Sequence, residues 1–256
     1  MKRDYVTVLQ LTDLHLFATP QGQFNGINTR NTYKQVLSHF RQHYLTPDAI
    51  IITGDLAHDG EPATYQYIAN SLKPLNAPVY YILGNHDHSA NAKQVYPLAA
   101  VNSDLHCLFD KWQIILLDSN HLPETNSYQG EVSQAELHRL SHLMNQHADK
   151  WTVVAMHHNL PEHVERGVAI EVRNHHQVLT YLEQYPNIKM VLSGHVHQEF
   201  MIVQNGISYL SAPATGYQST SQSGYVTGET PGYRWLKLYD NGRFESDVRR
   251  IGFGDP

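Results

Sequence analysis

Five short apolar runs in this chain each stop at residue types that bind metals. Leu9-Gln10-Leu11 leads into Thr12-Asp13-Leu14-His15, Ile50-Ile51-Ile52 into Thr53-Gly54-Asp55, and Tyr81-Ile82-Leu83 into Gly84-Asn85-His86-Asp87. Val153-Val154-Ala155-Met156 leads into His157-His158, and Met190-Val191-Leu192 into Ser193-Gly194-His195-Val196-His197. Runs this short, rich in Val and Ile and bounded by turn residues, read as buried strands. In α/β sheets, ligands bind beyond the carboxyl ends of the strands. Five ends that carry Asp, His and Asn can therefore converge on one place along an edge of the sheet.

The rest of the chain fits that frame. Strands are expected over 6–11, 49–53, 79–83, 113–117, 151–156, 188–192 and 207–210. Tyr33, Val36, Leu37, Phe40 and Tyr44 recur at helical spacing, as do Leu137, Leu140, Leu143 and Met144. Ser133 is the expected N-cap of the second stripe, with Glu136 completing a capping box. Strands alternating with helices give an α/β class with helices covering the sheet. Near the end, 235–239 and 243–248 flank Asp240-Asn241-Gly242, a hairpin signal. Residues 215–232 are rich in Gly, Ser, Thr and Tyr and are expected to form a surface loop. With no repeat or linker, residues 1–256 read as one domain.

Composition narrows the function classes. A net charge of -6 disfavours a general nucleic-acid binder, which would present a basic face. A single cysteine, Cys107 between Leu105 and Leu108, cannot form an intrachain disulfide and reads as a small buried hydrophobe. No stretch is long enough to span a membrane, and the first residues do not form a secretory leader. The expectation is a cytoplasmic protein. The chain has 18 histidines, but position decides which of them matter.

Taken singly, Gly54-Asp55 is an ordinary strand-to-loop turn and Asp13-Leu14-His15 could be a helix-entry turn. Gly84-Asn85-His86-Asp87 says more, since a turn needs no His-Asp pair behind its Gly and Asn. His195 and His197, adjacent but one just past a strand, point the same way. Carboxylate, imidazole and amide oxygen together suit Mn, Fe, Zn or Co, and the lack of cysteine ligands disfavours a structural zinc site. A carboxylate can bridge two ions, and Asp55 on its tight turn is the natural candidate. Two ions roughly 3.5–4 Å apart clamp the attacking and leaving oxygens of an in-line displacement at phosphorus.

This series resembles the signature of the calcineurin-like metallophosphoesterases. The resemblance implies a four-layer α-β-β-α sandwich, here with the C-terminal β-hairpin added. It implies two metal ions (Fe, Mn or Zn), one held by Asp13, His15 and His197, the other by Asn85, His157 and His195, with Asp55 between. It also implies that His86 sits near the phosphate as general acid or transition-state stabiliser, oriented by Asp87. Leu11 to Phe17 with Gly26-Ile27-Asn28-Thr29, Pro47 to Ile50, Asp59-Gly60, Tyr65, Ser211 to Thr215 and Pro231 to Trp235 are similar to the bacterial class III cyclic nucleotide phosphodiesterases.

That closer resemblance implies hydrolysis of 3′,5′-cyclic AMP to 5′-AMP by a metal-bridging hydroxide, and it allows a homodimer. The alternative within the same chemistry is another phosphodiester or pyrophosphate, such as a glycerophosphodiester or a nucleotide-linked substrate. A non-catalytic scaffold would have lost ligands, and every expected position here is filled. The chain departs from the family's pattern at Asn159, where proline is usual soon after the paired histidines. It also lacks the cysteine often found near 214–216. Neither departure removes a ligand; both bear on where the nucleoside would rest.

Overall fold

In strand β2 (Ala49–Thr53) every residue is buried, and alternate side chains enter different cores. That is what a central parallel strand with both faces covered requires. The computed structural model describes residues 3–43, 46–96, 105–120, 129–160, 172–218 and 230–252. β2 lies between β1 (Tyr5–Leu11) and β3 (Val79–Ile82), parallel to both. Helices α1 (Thr29–His43) and α2 (Pro62–Leu72) make the crossovers. β10 (Gly232–Tyr239) runs antiparallel along the other side of β1, from Tyr5↔Tyr239 to Gln10↔Arg234, and β11 (Phe244–Arg250) closes the order β11-β10-β1-β2-β3.

The second sheet has the order β4-β5-β6-β7-β9-β8. Its strands are β4 (His106–Leu108), β5 (Trp112–Leu116), β6 (Trp151–Ala155), β7 (Ile188–Ser193), β8 (Phe200–Gln204) and β9 (Ile207–Ser211). β5, β6, β7 and β9 are parallel. α4 (Gln134–Gln146) and α5 (His175–Glu183) pack with this sheet, and the short α3 (Ser89–Val95) follows β3.

Two cores explain the layers. Leu9, Leu11, Ile50 and Ile52 face Tyr33, Val36 and Phe40 of α1 and Tyr65 and Ile68 of α2. The alternate residues Val8, Ala49, Ile51, Leu236 and Leu238 meet Ile114, Val153, Val191 and Leu210 of the second sheet, in a cluster that includes Leu137 and Leu140 of α4 and Val178 and Leu182 of α5. The result is helix, sheet, sheet, helix, the expected four-layer sandwich. Each fully buried aliphatic side chain contributes on the order of 1.5–3 kcal/mol. Gln10, fully buried in β1, breaks this apolar pattern. Its amide donates to Thr53 Oγ1 at 3.0 Å and to Ser193 O at 2.9 Å, so it ties the two sheets together where β2 and β7 end.

Some local expectations are modified. Tyr44 lies outside the described residues, but the α1 stripe is buried from Tyr33 to Phe40. Ser133 caps α4 by accepting from the Glu136 N–H at 3.2 Å. The Glu136 carboxylate does not complete the capping box: it accepts from Asp118 N at 3.0 Å and pairs with Arg139 at 2.7 Å, which joins α4 to the end of β5. The hairpin forms with a three-residue loop, Gly242 holding φ +84 and the Tyr239 N–H donating to Arg243 O. Trp112 Nε1 donates to Tyr239 O at 2.8 Å and thereby anchors this turn to the start of β5. Of the 215–232 segment, residues 219–229 lie outside the described residues. Thr215 to Gln218 are buried, so this part is not surface loop.

Candidate metal centre

The five motif-bearing strands belong to two sheets, with β1, β2 and β3 in one and β6 and β7 in the other. They converge because the chain keeps running in parallel past the strand ends. Asp13 N donates to Gly54 O at 3.0 Å, His15 N to Asp55 O at 2.9 Å and Leu16 N to Leu56 O at 3.0 Å. On the other sheet Gly194 N donates to His157 O at 2.9 Å. The sheets are joined at the site itself, where His195 N donates to both oxygens of Asp13 at 3.1 Å.

The backbone at these tips is unusual. Among the described residues, non-glycine positions with positive φ include Asp13 (φ 51), His15 (43), Asp55 (51), His195 (67) and His197 (55). Left-handed backbone outside glycine costs on the order of 1–3 kcal/mol per residue and persists where surrounding structure over-determines it, often at functional sites. The glycines that precede the ligands serve close approach. A Cβ on Gly84 would collide with the Asp55 carboxylate and backbone, and one on Gly54 with the His157 ring.

Three groups of ligand atoms meet there, the third being His15, His58 and His86. One ligand atom each from Asp13, His15, Asp55 and His197, all buried residues, lies within 4.8 Å of the others, and His157, His158 and His195 form a second such group. His15 Nε2 is 3.1 Å from His197 Nε2 and 3.4 Å from Asp55 Oδ2, and His197 Nε2 is 3.4 Å from Asp13 Oδ1. Around the second group His157 Nε2 is 3.1 Å from Asn85 Oδ1, 3.3 Å from His195 Nδ1 and 3.5 Å from Asp55 Oδ1. The two oxygens of Asp55 thus face histidines from different sheets.

The protonation pattern suits cations. Burial, then the neighbouring imidazoles His197, His86 and His58, push His15 well below the usual histidine range. Burial and the adjacent His158 and His157 do the same to His195, and burial with His157 does so to His158. Neutral rings keep a lone pair for a metal. Burial alone would raise Asp13, but His197, through its charge and hydrogen bond, together with His157 and Thr12 holds the carboxyl low. Burial would lower His197, but the same pairing with Asp13, aided by Asp55, raises it, so this ring is the one that carries a positive charge where a cation would otherwise sit. His157 Nδ1 sits 2.8 Å from Thr53 O, which spends its proton on the carbonyl and leaves Nε2 facing the cluster. Oxygen and nitrogen lone pairs converging from buried side chains fit metal ions.

His86 is half-buried beside the first group, its ring 4.9 Å from that of His15 and its N–H donating to Asp55 Oδ1 at 2.9 Å. Asp87 takes a different position from the one expected. Its carboxylate accepts from Leu56 N (3.1 Å), Ala57 N (2.9 Å), Gly84 N (2.9 Å) and Tyr65 OH (3.1 Å), and no bond to the His86 ring is seen. It clamps the Asp55 turn to the Asn85-His86 turn. Loss of water around it, with the Asp55 charge nearby, pushes its carboxyl up to about 6.

Three features had no role in the motif reading, although His158 stood in it beside His157. His58, three residues past Asp55, has Nδ1 3.2 Å from His15 Nδ1. His158 is fully buried, with Nδ1 2.8 Å from Ser119 Oγ. Phe24 stands 4.6 Å from the His15 ring and 4.8 Å from Tyr217. The position of His58 after Gly54-Asp55 was the available signal; Ser119 and Phe24 carried none. The departures from the family pattern lie close by. Asn159 and Ala214 are buried, and Thr215 N and Gly216 N donate to Thr12 O and Asp13 O at 2.9 and 3.1 Å.

An α/β sandwich that gathers buried carboxylates and imidazoles at its strand tips is the frame of a metal-dependent enzyme. The family described as calcineurin-like phosphoesterase matches residues 6–199. A Haemophilus influenzae protein named 3′,5′-cyclic adenosine monophosphate phosphodiesterase CpdA is 32% identical, covering 98% of this chain and 92% of that protein. The Escherichia coli K12 protein of the same name is 32% identical over 96% of this chain and 90% of its own length. Among solved structures, a dimetal phosphatase from Danio rerio shares the fold with a TM-score of 0.64 at 13% identity, covering 96% of this chain and 99% of that one. The chain belongs to the calcineurin-like phosphoesterase family.

Proposed function

We propose that this enzyme holds two metal ions and hydrolyses 3′,5′-cyclic AMP to 5′-AMP. The observation that carries the dinuclear reading is Asp55, whose Oδ2 lies 3.4 Å from His15 Nε2 and whose Oδ1 lies 3.5 Å from His157 Nε2. A carboxylate so placed serves two positions at once. Asp13, His15 and His197 are assigned to one ion and Asn85, His157 and His195 to the other. When bound, such a pair would supply Lewis-acid activation of a water and charge neutralisation at the phosphoryl group. The substrate assignment rests on the names of relatives matched over nearly the whole chain.

The remaining steps belong to side chains. His86, at the rim of the cluster, would donate a proton to the departing 3′ oxygen. Its main-chain N–H on Asp55 Oδ1 keeps it in register with the bridging carboxylate. Asp87 acts as a positioning residue, fixing the two turns that carry Asp55 and His86. Thr53 O and the main-chain N–H of His195 orient His157 and Asp13. A cytoplasmic setting agrees with the one buried, unpaired cysteine, and among the described residues no helix is long and apolar enough to cross a membrane.

The test is a substrate panel under defined Mn, Fe and Zn loading. The reading expects the highest kcat/KM for 3′,5′-cyclic AMP, ahead of 2′,3′-cyclic AMP and glycerophosphodiesters. A non-cyclic diester turned over orders of magnitude faster would overturn it. His86→Ala is expected to lower kcat by roughly 10²–10⁴-fold with metal content unchanged.

A further inference from the structure

A histidine that offers one ring nitrogen to a metal must give the proton on its other nitrogen to an acceptor, and that acceptor fixes the ring. His157 uses a main-chain carbonyl, Thr53 O, 2.8 Å from Nδ1. His15 meets another imidazole, with its Nδ1 3.2 Å from His58 Nδ1. The two nitrogens can share a hydrogen bond in only one of two senses, and the other end of His15 decides which. His15 Nε2 faces His197 Nε2 at 3.1 Å and Asp55 Oδ2 at 3.4 Å, where a ligand lone pair is required. The proton of neutral His15 is therefore on Nδ1, His58 Nδ1 accepts it, and the proton of His58 is on Nε2.

His58 is held for this task. Its main-chain N–H donates to Leu16 O at 2.8 Å, which ties the β2 turn to the β1 turn. Its ring stacks on His86 with centroids 5.2 Å apart and planes 21° apart. Phe24 at 4.4 Å and Phe17 at 4.9 Å pack against it. These contacts leave the ring little freedom to turn Nδ1 away from His15.

We propose that His58 is a positioning residue for the first metal position, setting the tautomer and orientation in which His15 presents Nε2. The inference rests on the reading of His15 as a ligand. The experiment measures the affinity of each of the two sites for Zn²⁺ and Co²⁺ by chelator competition, in wild type, His58→Ala, His58→Asn and His15→Ala. His58→Ala is expected to weaken one site by about 10–100-fold and leave the other unchanged. His58→Asn, whose Oδ1 can take the acceptor position, is expected to recover most of the loss.

If His58→Ala bound both ions like wild type while His15→Ala lost one, the role of His58 would be wrong and the ligand reading would stand. If His15→Ala also kept both, the ligand reading itself would fall. Equal weakening of both sites without recovery in His58→Asn would mark a general structural defect and also overturn the role. Nitrogen-15 NMR of the wild-type zinc protein needs no variant to fold. It should find His15 protonated on Nδ1 and His58 on Nε2; a proton on His58 Nδ1 would contradict the proposal.

Discussion

At the scale of single residues, five of the seven candidate ligands share a backbone property that side-chain identity does not reveal. Asp13, His15, Asp55, His195 and His197 all lie at positive φ, and the glycines before Asp55 and Asn85 clear space for neighbouring ligands. Gly84→Ala should therefore displace Asp55. A loss of stability of about 2 kcal/mol is expected by denaturant unfolding, with lower metal content by mass spectrometry. The candidate ligands were legible as a group because each follows an apolar run in a short motif. The task of Asp87 was not: a carboxylate next to His86 in sequence spends its bonds on Leu56, Ala57, Gly84 and Tyr65, a choice made by tertiary packing. The partners of His58 and His158 were not legible because His15 and Ser119 are each about 40 residues away in the chain. Cys107 behaves as its neighbours suggested: it is buried, and burial pushes its thiol up to about 11. Thiol alkylation at pH 8 should leave the native protein unlabelled and label it once denatured; rapid labelling of native protein would contradict that environment.

At the scale of elements, the seven strands read from apolar runs appear within a residue or so at most ends. β4 and β8 did not stand out. β4 has three residues, and β8 is an edge strand that buries Phe200 while Met201 and Val203 are exposed, so neither presents a two-faced buried pattern. Helix α2 buries Tyr65, Ile68, Ala69 and Leu72 at helical spacing, with Pro62 at its start, and was legible in principle. The terminal hairpin followed from Asp240-Asn241-Gly242, although its anchoring by Trp112 needed the other sheet. Gly242 holds φ +84 and abuts the Trp151 ring. Gly242→Ala is expected to cost roughly 1–3 kcal/mol by denaturant unfolding while metal affinity stays at the wild-type value. A change in metal affinity would show that the hairpin communicates with the site.

At the scale of the whole molecule, function depends on two sheets ending together. The motifs indicated convergence on one sheet edge, whereas the candidate ligands come from two sheets bound through Gln10 and through the His195–Asp13 hydrogen bonds. The apolar runs alone could not separate these arrangements, because strand order is set by which buried faces pair across the sandwich; only the family resemblance implied two sheets. Ions that bind only the folded state stabilise it, by about 2.7 kcal/mol at a hundred times the Kd. Removing metal with a chelator should thus lower Tm by several degrees and restoring it should reverse the shift; an unchanged Tm would mean that the buried carboxylates and imidazoles are satisfied without ions. The most direct test of the central claim is metal stoichiometry in wild-type protein and in Asp55→Ala after reconstitution, counted by mass spectrometry against protein concentration. The account predicts two ions per wild-type chain and a loss of tight binding at both positions when Asp55 is removed. One ion per wild-type chain, or two that remain tightly bound without Asp55, would contradict it.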